Sequence, residues 1–460
     1  MKQCAVILAA GDGKRMKSVH PKVLCEVLEQ PMLGWILDSV TGAGFSPKEI
    51  GIVIGSGAEE VTDYLSRLGF LQTYMQSERL GTGHAVRQAL PLVEQSENVL
   101  VFNGDMPFVD VRTITEALRL HEENGNAVTV VSAELNDPTG YGRIFRGENG
   151  EFLSIVEQKD CTDAQKAIAE VNAGVYWFNG RALSDALSRL SPNPITGEYY
   201  LTDTVALIRE KGGRAECFTA ENPDLVLGAN DRKGLLMLNE VARVRVFEEH
   251  LANGVEFLSV DGVIIGKDVR IGRDTKILPN TILRGKTEIG EGCVIGPSSV
   301  IEDCRVGNGV VLNAVQATSA EIHDRVTAGP FVNLRPGTIL REGVHLGDFV
   351  EVKNSEIGEN TAAGHLTYIG DSDVGRGVNF GCGCVTANYD GINKYRTVIG
   401  DHAFIGCNTN LIAPVEIGEN AATGAGSTIT GNVPPDGLAV ERADTRVIEH
   451  WEKNKLRKKK

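Results

Sequence analysis

The chain of 460 residues contains no run of eighteen apolar residues, so no membrane-spanning helix is expected. A secretory leader is not expected either. The apolar stretch Cys4 to Ala10 is short and runs into a glycine loop with basic residues, among them Lys14 and Arg15. A cysteine framework is missing as well. The nine cysteines are an odd number without regular spacing, which points to free thiols in a reducing compartment, the cytoplasm. Cys382 and Cys384 are too isolated for a zinc site. Positive charge is scarce: the net charge is −15, which argues against a nucleic-acid coat or a general anion sponge. Phosphorylated substrates would have to be held by local basic residues against that field. The basic run Lys453 to Lys460 reads as a solvated tail. Length predicts two or three domains, and the apolar content is enough for each to bury a core.

What is present begins with a strict period. Ile265, Ile271, Ile277, Leu283, Ile289, Ile295 and Ile301 stand six apart, several followed by glycine. A helix buries residues at a spacing near 3.6 and an ordinary strand at 2, so six fits neither. It fits a chain that turns a corner every six residues and closes a triangular coil in three turns, stacking an aliphatic column. Prisms of this kind are often acyl-group transferases. The phase slips after Ile301 and returns at Leu346 and Val352, at Val374 and Phe380, and at Ile399, Ile405, Leu411 and Ile417. The slips are read as insertions that leave the prism as loops, the longest over 305–343 and 384–397, where chemistry tends to sit. At eighteen residues per coil, residues 255–435 give roughly ten coils, on the order of 50 Å at the ladder spacing.

The first half alternates strand and helix. Cys4 to Ala10 reads as a buried strand, followed by a helix pattern from Met32 to Val40 and the strand Ile50 to Ile54. Helices near 58–68 and 82–94 and the strand Asn98 to Phe102 come next. That order predicts a parallel sheet with both faces covered and ligands at the carboxyl ends of strands. Gly11-Asp12-Gly13 and Asn103-Gly104-Asp105 both follow strands. Glycines there let backbone N–H groups approach phosphates, and Lys14, Arg15 and Lys22 add charge. The loop is not a dinucleotide fingerprint, since Met16 stands where the third glycine belongs, and it is not a P-loop. Asp231 to Leu251 reads as one amphipathic helix with Leu235, Leu236, Leu238, Val241, Val244 and Phe247, capped by Asn230 or Asp231. This gives the expected division: 1–229, a linker helix over 230–252, and the prism with its basic tail over 253–460.

Leu8-Ala9-Ala10-Gly11-Asp12-Gly13-Lys14-Arg15-Met16, Pro21-Lys22, Gln76, Gly81-Thr82-Gly83 and Gly104-Asp105 together resemble the sugar-phosphate nucleotidyltransferases. Lys14 departs from the usual Thr, at a position that works mainly through its backbone. Asp137 to Ile144, Ile155-Val156-Glu157, Asn172 with Gly174, and Gly197 to Asp203 narrow the likeness. They are similar to the bifunctional N-acetylglucosamine-1-phosphate uridyltransferase/glucosamine-1-phosphate acetyltransferase family, and the likeness runs nearly end to end. The resemblance implies an α/β fold, with a Rossmann-like nucleotidyltransferase domain of mostly parallel sheet followed by a left-handed parallel β-helix. It also implies homotrimers, and a role at the start of bacterial cell-envelope sugar supply.

For the first site, the resemblance implies Mg²⁺ held by Asp105 and Asn230. Leu8, Ala9, Ala10, Gly11, Gln76, Gly81 and Thr82 would hold the nucleoside of UTP. Lys22 would contact its phosphates, and Gly142, Glu157 and Asn172 the sugar. Uridylyl transfer needs no general base, because the attacking phosphate oxygen is already anionic; alignment and charge neutralisation suffice. For the second site, acetyl transfer from acetyl-CoA to an amine needs a proton acceptor, and histidine titrates in the right range. His365, within Ala363-Gly364-His365-Leu366-Thr367-Tyr368, matches the family's base. Arg335, Lys353, Tyr368, Asn379 and Lys394 would bind the sugar phosphate. Cys382, Asn388, Tyr389, Cys407, Ala425 and Arg442 would line the acetyl-CoA groove.

Two departures stand out: Gly381-Cys382-Gly383-Cys384 replaces smaller residues, and Cys407 replaces Ser. Direct attack by the amine needs no cysteine nucleophile, so no acetyl-cysteine is expected. Two other readings remain at this point. In one, the prism is only an oligomerising scaffold for a nucleotidyltransferase; in the other, the chain is a non-enzymatic sensor. The cluster around His365 argues against the first, and Lys22, Asp105 and His365 together against the second.

Overall fold

The computed structural model describes residues 2–194 and 196–451, so the basic run Lys453 to Lys460 lies outside the described residues. The chain divides into two compact units, Met1–Ala242 and a second from Arg243 onward. No helix among the described residues is long and apolar enough to cross a membrane.

In the first unit the apolar runs of the sequence become central strands. The main sheet runs Ala215–Thr219, Val128–Glu134, Glu170–Asn179, Asn98–Asn103, Gln3–Ala9, Ile50–Ile54 and Thr73–Met75 in spatial order. All neighbours are parallel except Glu170–Asn179, which pairs antiparallel on both sides. Alternate residues feed two separate cores. Ala5, Ile7, Ile52, Leu100 and Phe102 pack under the helices Met32–Gly42, Ala58–Arg67 and Val111–Glu123. Cys4, Val6, Val53, Val99 and Val101 pack under Thr82–Gln88, Gly180–Arg189 and Asp203–Glu210. Both faces are covered, which is why these strands read as continuous hydrophobic runs.

The expected helix over 82–94 is two pieces, Thr82–Gln88 and Leu90–Val93. Pro91 is the cause: it has no N–H to continue the ladder and it restricts the residue before it. The helix over Arg232–Ala252 is continuous, and Asp231 caps it, its Oδ1 accepting from Gly234 N–H at 2.9 Å. Leu238 is buried as expected, whereas Leu236 and Val244 are exposed at 64% and 47%, so they do not belong to the packed face.

Among the described residues the second unit is a prism of three parallel sheets with eleven, ten and nine strands, a complete coil giving one strand to each. It is a left-handed parallel β-helix. The seven aliphatic residues from Ile265 to Ile301 are all buried in its axis. The stretch 305–343 corrects the sequence expectation: it does not leave the prism. Its inward column continues as Val306, Leu312, Ala317, Ile322, Ala328, Leu334 and Leu340, all buried. The slips are sides of the triangle shortened by one residue, as between Ile301 and Val306 or Ala317 and Ile322. One real excursion occurs, between the strands Val385–Ala387 and Thr397–Ile399.

Candidate active sites

The carboxyl ends of two parallel strands and the amino end of the antiparallel strand beside them build the first site. Gln3–Ala9 delivers the glycine loop, Asn98–Asn103 delivers Asp105, and a bulge in Glu170–Asn179 turns Asn172 inward. Gly13 takes φ +57°, and a Cβ there would stand 2.6 Å from Lys22 Cβ, so glycine is required where the loop crosses Lys22. The segment before Asn230 passes equally close to Asp105: a Cβ at Gly228 would lie 3.0 Å from the Asp105 carbonyl oxygen.

The Lys22 ammonium then joins the two predicted metal ligands. It donates to Asp105 Oδ2 and, at 2.7 Å, to Asn230 Oδ1. A positive charge thus stands between two hard oxygen donors 125 positions apart in sequence (230 − 105). That donor set suits a divalent cation of the Mg²⁺ class, which takes one or two protein oxygens and completes its shell from substrate phosphates and water. No cluster of three His, Cys, Asp or Glu that could hold a metal occurs among the described residues.

Two cavities meet at this point. One, of about 510 Å³, is lined by Gly142, Glu157, Asn172, Asp105 and Asn230. The other, of about 460 Å³, is lined by Leu8, Ala10, Gly11, Lys22, Gln76, Gly81 and Thr82. Thr82, Asn103, Asp105 and Tyr200 line both. The Ala9 side chain points away into the core, so its contribution can only be through the backbone. Gln76 is buried, its Nε2 donating to the Gly81 carbonyl at 3.1 Å. In the larger cavity Asn172 donates to Tyr176 Oη at 2.6 Å and accepts from Gly174 N–H at 3.1 Å. Burial raises the Glu157 carboxyl above its ordinary value, against a hydrogen bond from Thr202 at 3.3 Å and with the charges of Asp160 and Asp203 adding to the rise.

Sequence reasoning did not find Arg79, which pairs with Asp12 of the glycine loop across the smaller cavity. Lys14 pairs with the same carboxylate at 3.3 Å. Only the fold brings Arg79 to the loop; no local pattern marks it.

The second site forms on one side of the prism. Lys353 Nζ lies 3.9 Å from Asp371 Oδ2. Asn354 donates to Asp371 Oδ1 at 2.6 Å, and Asn388 donates to Oδ2. Burial opposes ionisation of Asp371, but these two amides and the charges of Lys353 and Lys394 hold its carboxyl below the usual value. Lys394 is held below the usual lysine value by the Lys353 ammonium beside it. Two cations forced together across a single carboxylate make a local anion site on a chain of negative net charge. Arg335 Nη1 pairs with Glu351 at 3.0 Å, and Glu351 is the register partner of Tyr368. Asp371 was not foreseen: it sits at a corner with φ +48°, one of many acidic surface positions by sequence.

His365 is exposed and ends the strand Ala362–His365, three residues before Tyr368 around the next corner. Asn379 is exposed on the following coil, in register with Ala362. Cys382, Cys407 and Ala425 continue upward from His365 at the same corner. The excursion carries Asn388 and Tyr389 at its base. Tyr389 bridges to Lys394, and Asp390 accepts from Ile392 and Asn393 N–H at 2.8 and 2.7 Å, which closes the turn. Arg442 lies exposed in an irregular segment, next to Glu441, whose N–H donates to Ser427 Oγ at 3.0 Å.

Residues 5–173 match the family model of the MobA-like NTP transferase domain, and residues 268–303 and 396–431 match the bacterial transferase hexapeptide (six repeats). Fold and matches define a two-domain transferase that pairs a nucleotidyltransferase sheet with a hexapeptide prism. A protein of Thermoanaerobacter pseudethanolicus called "Bifunctional protein GlmU" is 44% identical over 98% of both chains. Proteins with the same description are 44% identical in Halalkalibacterium halodurans, over 97% of this chain and 98% of theirs, and in Clostridium beijerinckii, over the whole of both. The chain belongs to this GlmU family.

Proposed function

We propose that the prism acetylates glucosamine-1-phosphate with acetyl-CoA and that the sheet domain then transfers uridylyl from UTP to the product, giving UDP-N-acetylglucosamine and pyrophosphate. The observation that carries the reading is the Lys22 ammonium held between Asp105 and Asn230 where the two cavities join. A nucleotide in the smaller cavity and a sugar phosphate in the larger would meet at those oxygens. The attacking oxygen is already charged, so the chain's task is alignment and neutralisation. Lys22 supplies one positive charge and is placed to turn from its two partners to the incoming phosphates. Mg²⁺ at Asp105 and Asn230 would offset charge developing at the α-phosphate. Glu157, Asn172 and Gly142 hold the sugar.

In the prism, the uncharged amine attacks the thioester carbon while His365 accepts the proton. The new N–C bond replaces C–S, and the thiolate leaves and is reprotonated. Lys353, Lys394 and Arg335 take the sugar phosphate, with Tyr368 and Asn379 around the ring. Asn388, Tyr389, Cys382, Cys407, Ala425 and Arg442 line the coenzyme groove. Domain bounds of 1–229, 230–252 and 253–460, a cytoplasmic site of action and a homotrimer of parallel prisms belong to the same reading. The test is a coupled assay on the purified chain with glucosamine-1-phosphate, acetyl-CoA, UTP and Mg²⁺, each omitted in turn. UDP-N-acetylglucosamine should need all four; pyrophosphate release without acetyl transfer in any mixture would remove the prism's catalytic role.

A further inference from the structure

One corner of the prism carries a column of chemically active side chains on successive coils. Asp348 is the register partner of His365. Ala362 and Ala363 pair with Asn379 and Phe380, which in turn pair with Phe404 and Ile405; two residues further along, His365, Cys382 and Cys407 stand one above another. The Asn408 N–H donates to the Cys382 carbonyl at 2.8 Å, which fixes the last step. Neighbouring strands of a ladder are about 4.8 Å apart. That falls within the Cα separation of roughly 4.4–6.8 Å that a disulfide spans. The Cys407 sulfur already leans toward the lower coil: a Cβ at Gly381 would lie 2.9 Å from it, and glycine leaves that space free. Cys382 is half-buried and Cys407 exposed, so a solvent-borne reagent reaches the pair. A third thiol, Cys384, differs. It is buried, donates to the Gly406 carbonyl at 3.2 Å, and is pushed up to about 11, chiefly by burial, so it stays a protonated thiol.

We propose that Cys382 and Cys407 form a dithiol site that a hydroperoxide converts to a disulfide, closing the acetyl-CoA groove and leaving nucleotidyl transfer untouched. The chemistry balances. One thiolate attacks a peroxide oxygen, the O–O bond breaks and a sulfenic acid forms, while the released hydroxide or alkoxide takes a proton from solvent and leaves as water or alcohol. The second thiolate attacks that sulfur and expels hydroxide, which leaves as water. Two electrons pass to the peroxide, and a dithiol reductant returns them. The cross-link fixes the corner one coil step above His365, and misplacement of about 1 Å costs a reaction on the order of 10²-fold. The effect on activity rests on reading that groove as the acetyl-CoA site; the cross-link itself does not.

The test treats the full chain with graded hydrogen peroxide, blocks remaining thiols by alkylation, and maps peptides without reduction while both activities are assayed. Trypsin cuts between the two cysteines at Lys394 and Arg396, and fragmentation separates Cys382 from Cys384. The expected result is seven alkylated thiols where the nine cysteines had all reacted, since two are joined (9 − 2 = 7). Acetyl transfer should fall by about tenfold or more and return with dithiothreitol, while uridyl transfer holds. In Cys407→Ser no cross-link should form, and the oxidised-to-reduced ratio of acetyl transfer should stay near one, whatever its basal rate. Oxidation that stops at sulfinic acid, a cross-link to any other cysteine, or a Cys382–Cys407 cross-link with unchanged acetyl transfer overturns the proposal. Reduced enzyme that never transfers acetyl would instead sink the functional reading, with the peptide map still deciding whether the dithiol site exists.

Discussion

Lys22 holds together two oxygens that sequence distance keeps apart. Replacing it with Ala leaves Asp105 and Asn230 without the ammonium and removes a positive charge from the nucleotide cavity. Uridyl transfer in Lys22→Ala should fall by roughly 10²-fold or more while acetyl transfer is retained, as measured by pyrophosphate release and coenzyme A release on the same preparation. Glu157 gives a stability effect with a defined sign. Its carboxyl binds the proton more tightly folded than unfolded, so its contribution is fully present below its ordinary value of 4.5 and is lost as pH rises through the folded value. Glu157→Gln has no charge to bury. The ligand-free variant should therefore resist urea better than the parent at pH 8, with the difference closing toward pH 4. Trp35 and Trp177 fluorescence reads the unfolding. A variant weaker at pH 8 would mean that Thr202 and solvent already satisfy the carboxylate. These residues show what was legible. Asp105, Asn230, Glu157 and Asn172 could be named from sequence because each lies in a motif, and the fold brings all four to one cavity. Asp371 and Arg79 carry no such motif, and their places in the two sites come from partners brought in by coil stacking and sheet topology.

The hexapeptide column sets the elements of the prism. Leu283 is fully buried, and neighbours on its sheet, Ile265 and Ile301, close over it in register. Leu283→Ala should cost about 2–5 kcal/mol through lost transfer energy and the cavity it leaves. Val311 is 39% exposed on an outer face, and Val311→Ala should stay within about 0.5 kcal/mol. Equal losses in denaturant unfolding would mean that the inward column is not where the stability lies. The six-residue period was plain in the sequence wherever Ile and Leu fill the axis. It was lost where Ala317, Ala328 and Ala363 do, because small residues carry no hydrophobic signal although they are just as buried. Buried hydroxyls were equally silent. Thr281, Thr287, Thr338 and Thr409 sit inside and donate to the carbonyls of Leu278, Arg284, Arg335 and Gly406 at 2.6–2.7 Å. Each thereby satisfies its own buried hydroxyl at a corner. Such sites look like surface positions until the coil closes around them.

At the scale of the molecule, the two chemistries draw on different physical resources, and that makes them separable. On the proposed reading the first depends on cation charge between Asp105 and Asn230, because nothing in nucleotidyl transfer requires a proton to move. On the same reading the second depends on a proton acceptor at His365 and on lysine charge at Lys353 and Lys394, and the Asp371 carboxylate there is already engaged by Asn354 and Asn388. Chelation with EDTA should therefore abolish uridyl transfer and leave acetyl transfer nearly intact. His365→Ala should do the reverse, cutting acetyl transfer by about 10²–10⁴-fold, the usual worth of general-base catalysis, with uridyl transfer spared. Both measurements belong on the full chain, each half-reaction followed with its own substrates. The informative result is the crossed pattern. A chelator that removed both activities equally would place a metal requirement in the prism, where the Asp371 carboxylate is already engaged by two amides and lies beside Lys353. A His365→Ala variant that lost both would mean that the imidazole supports the fold instead of taking a proton, and its exposed position at a strand end argues against that.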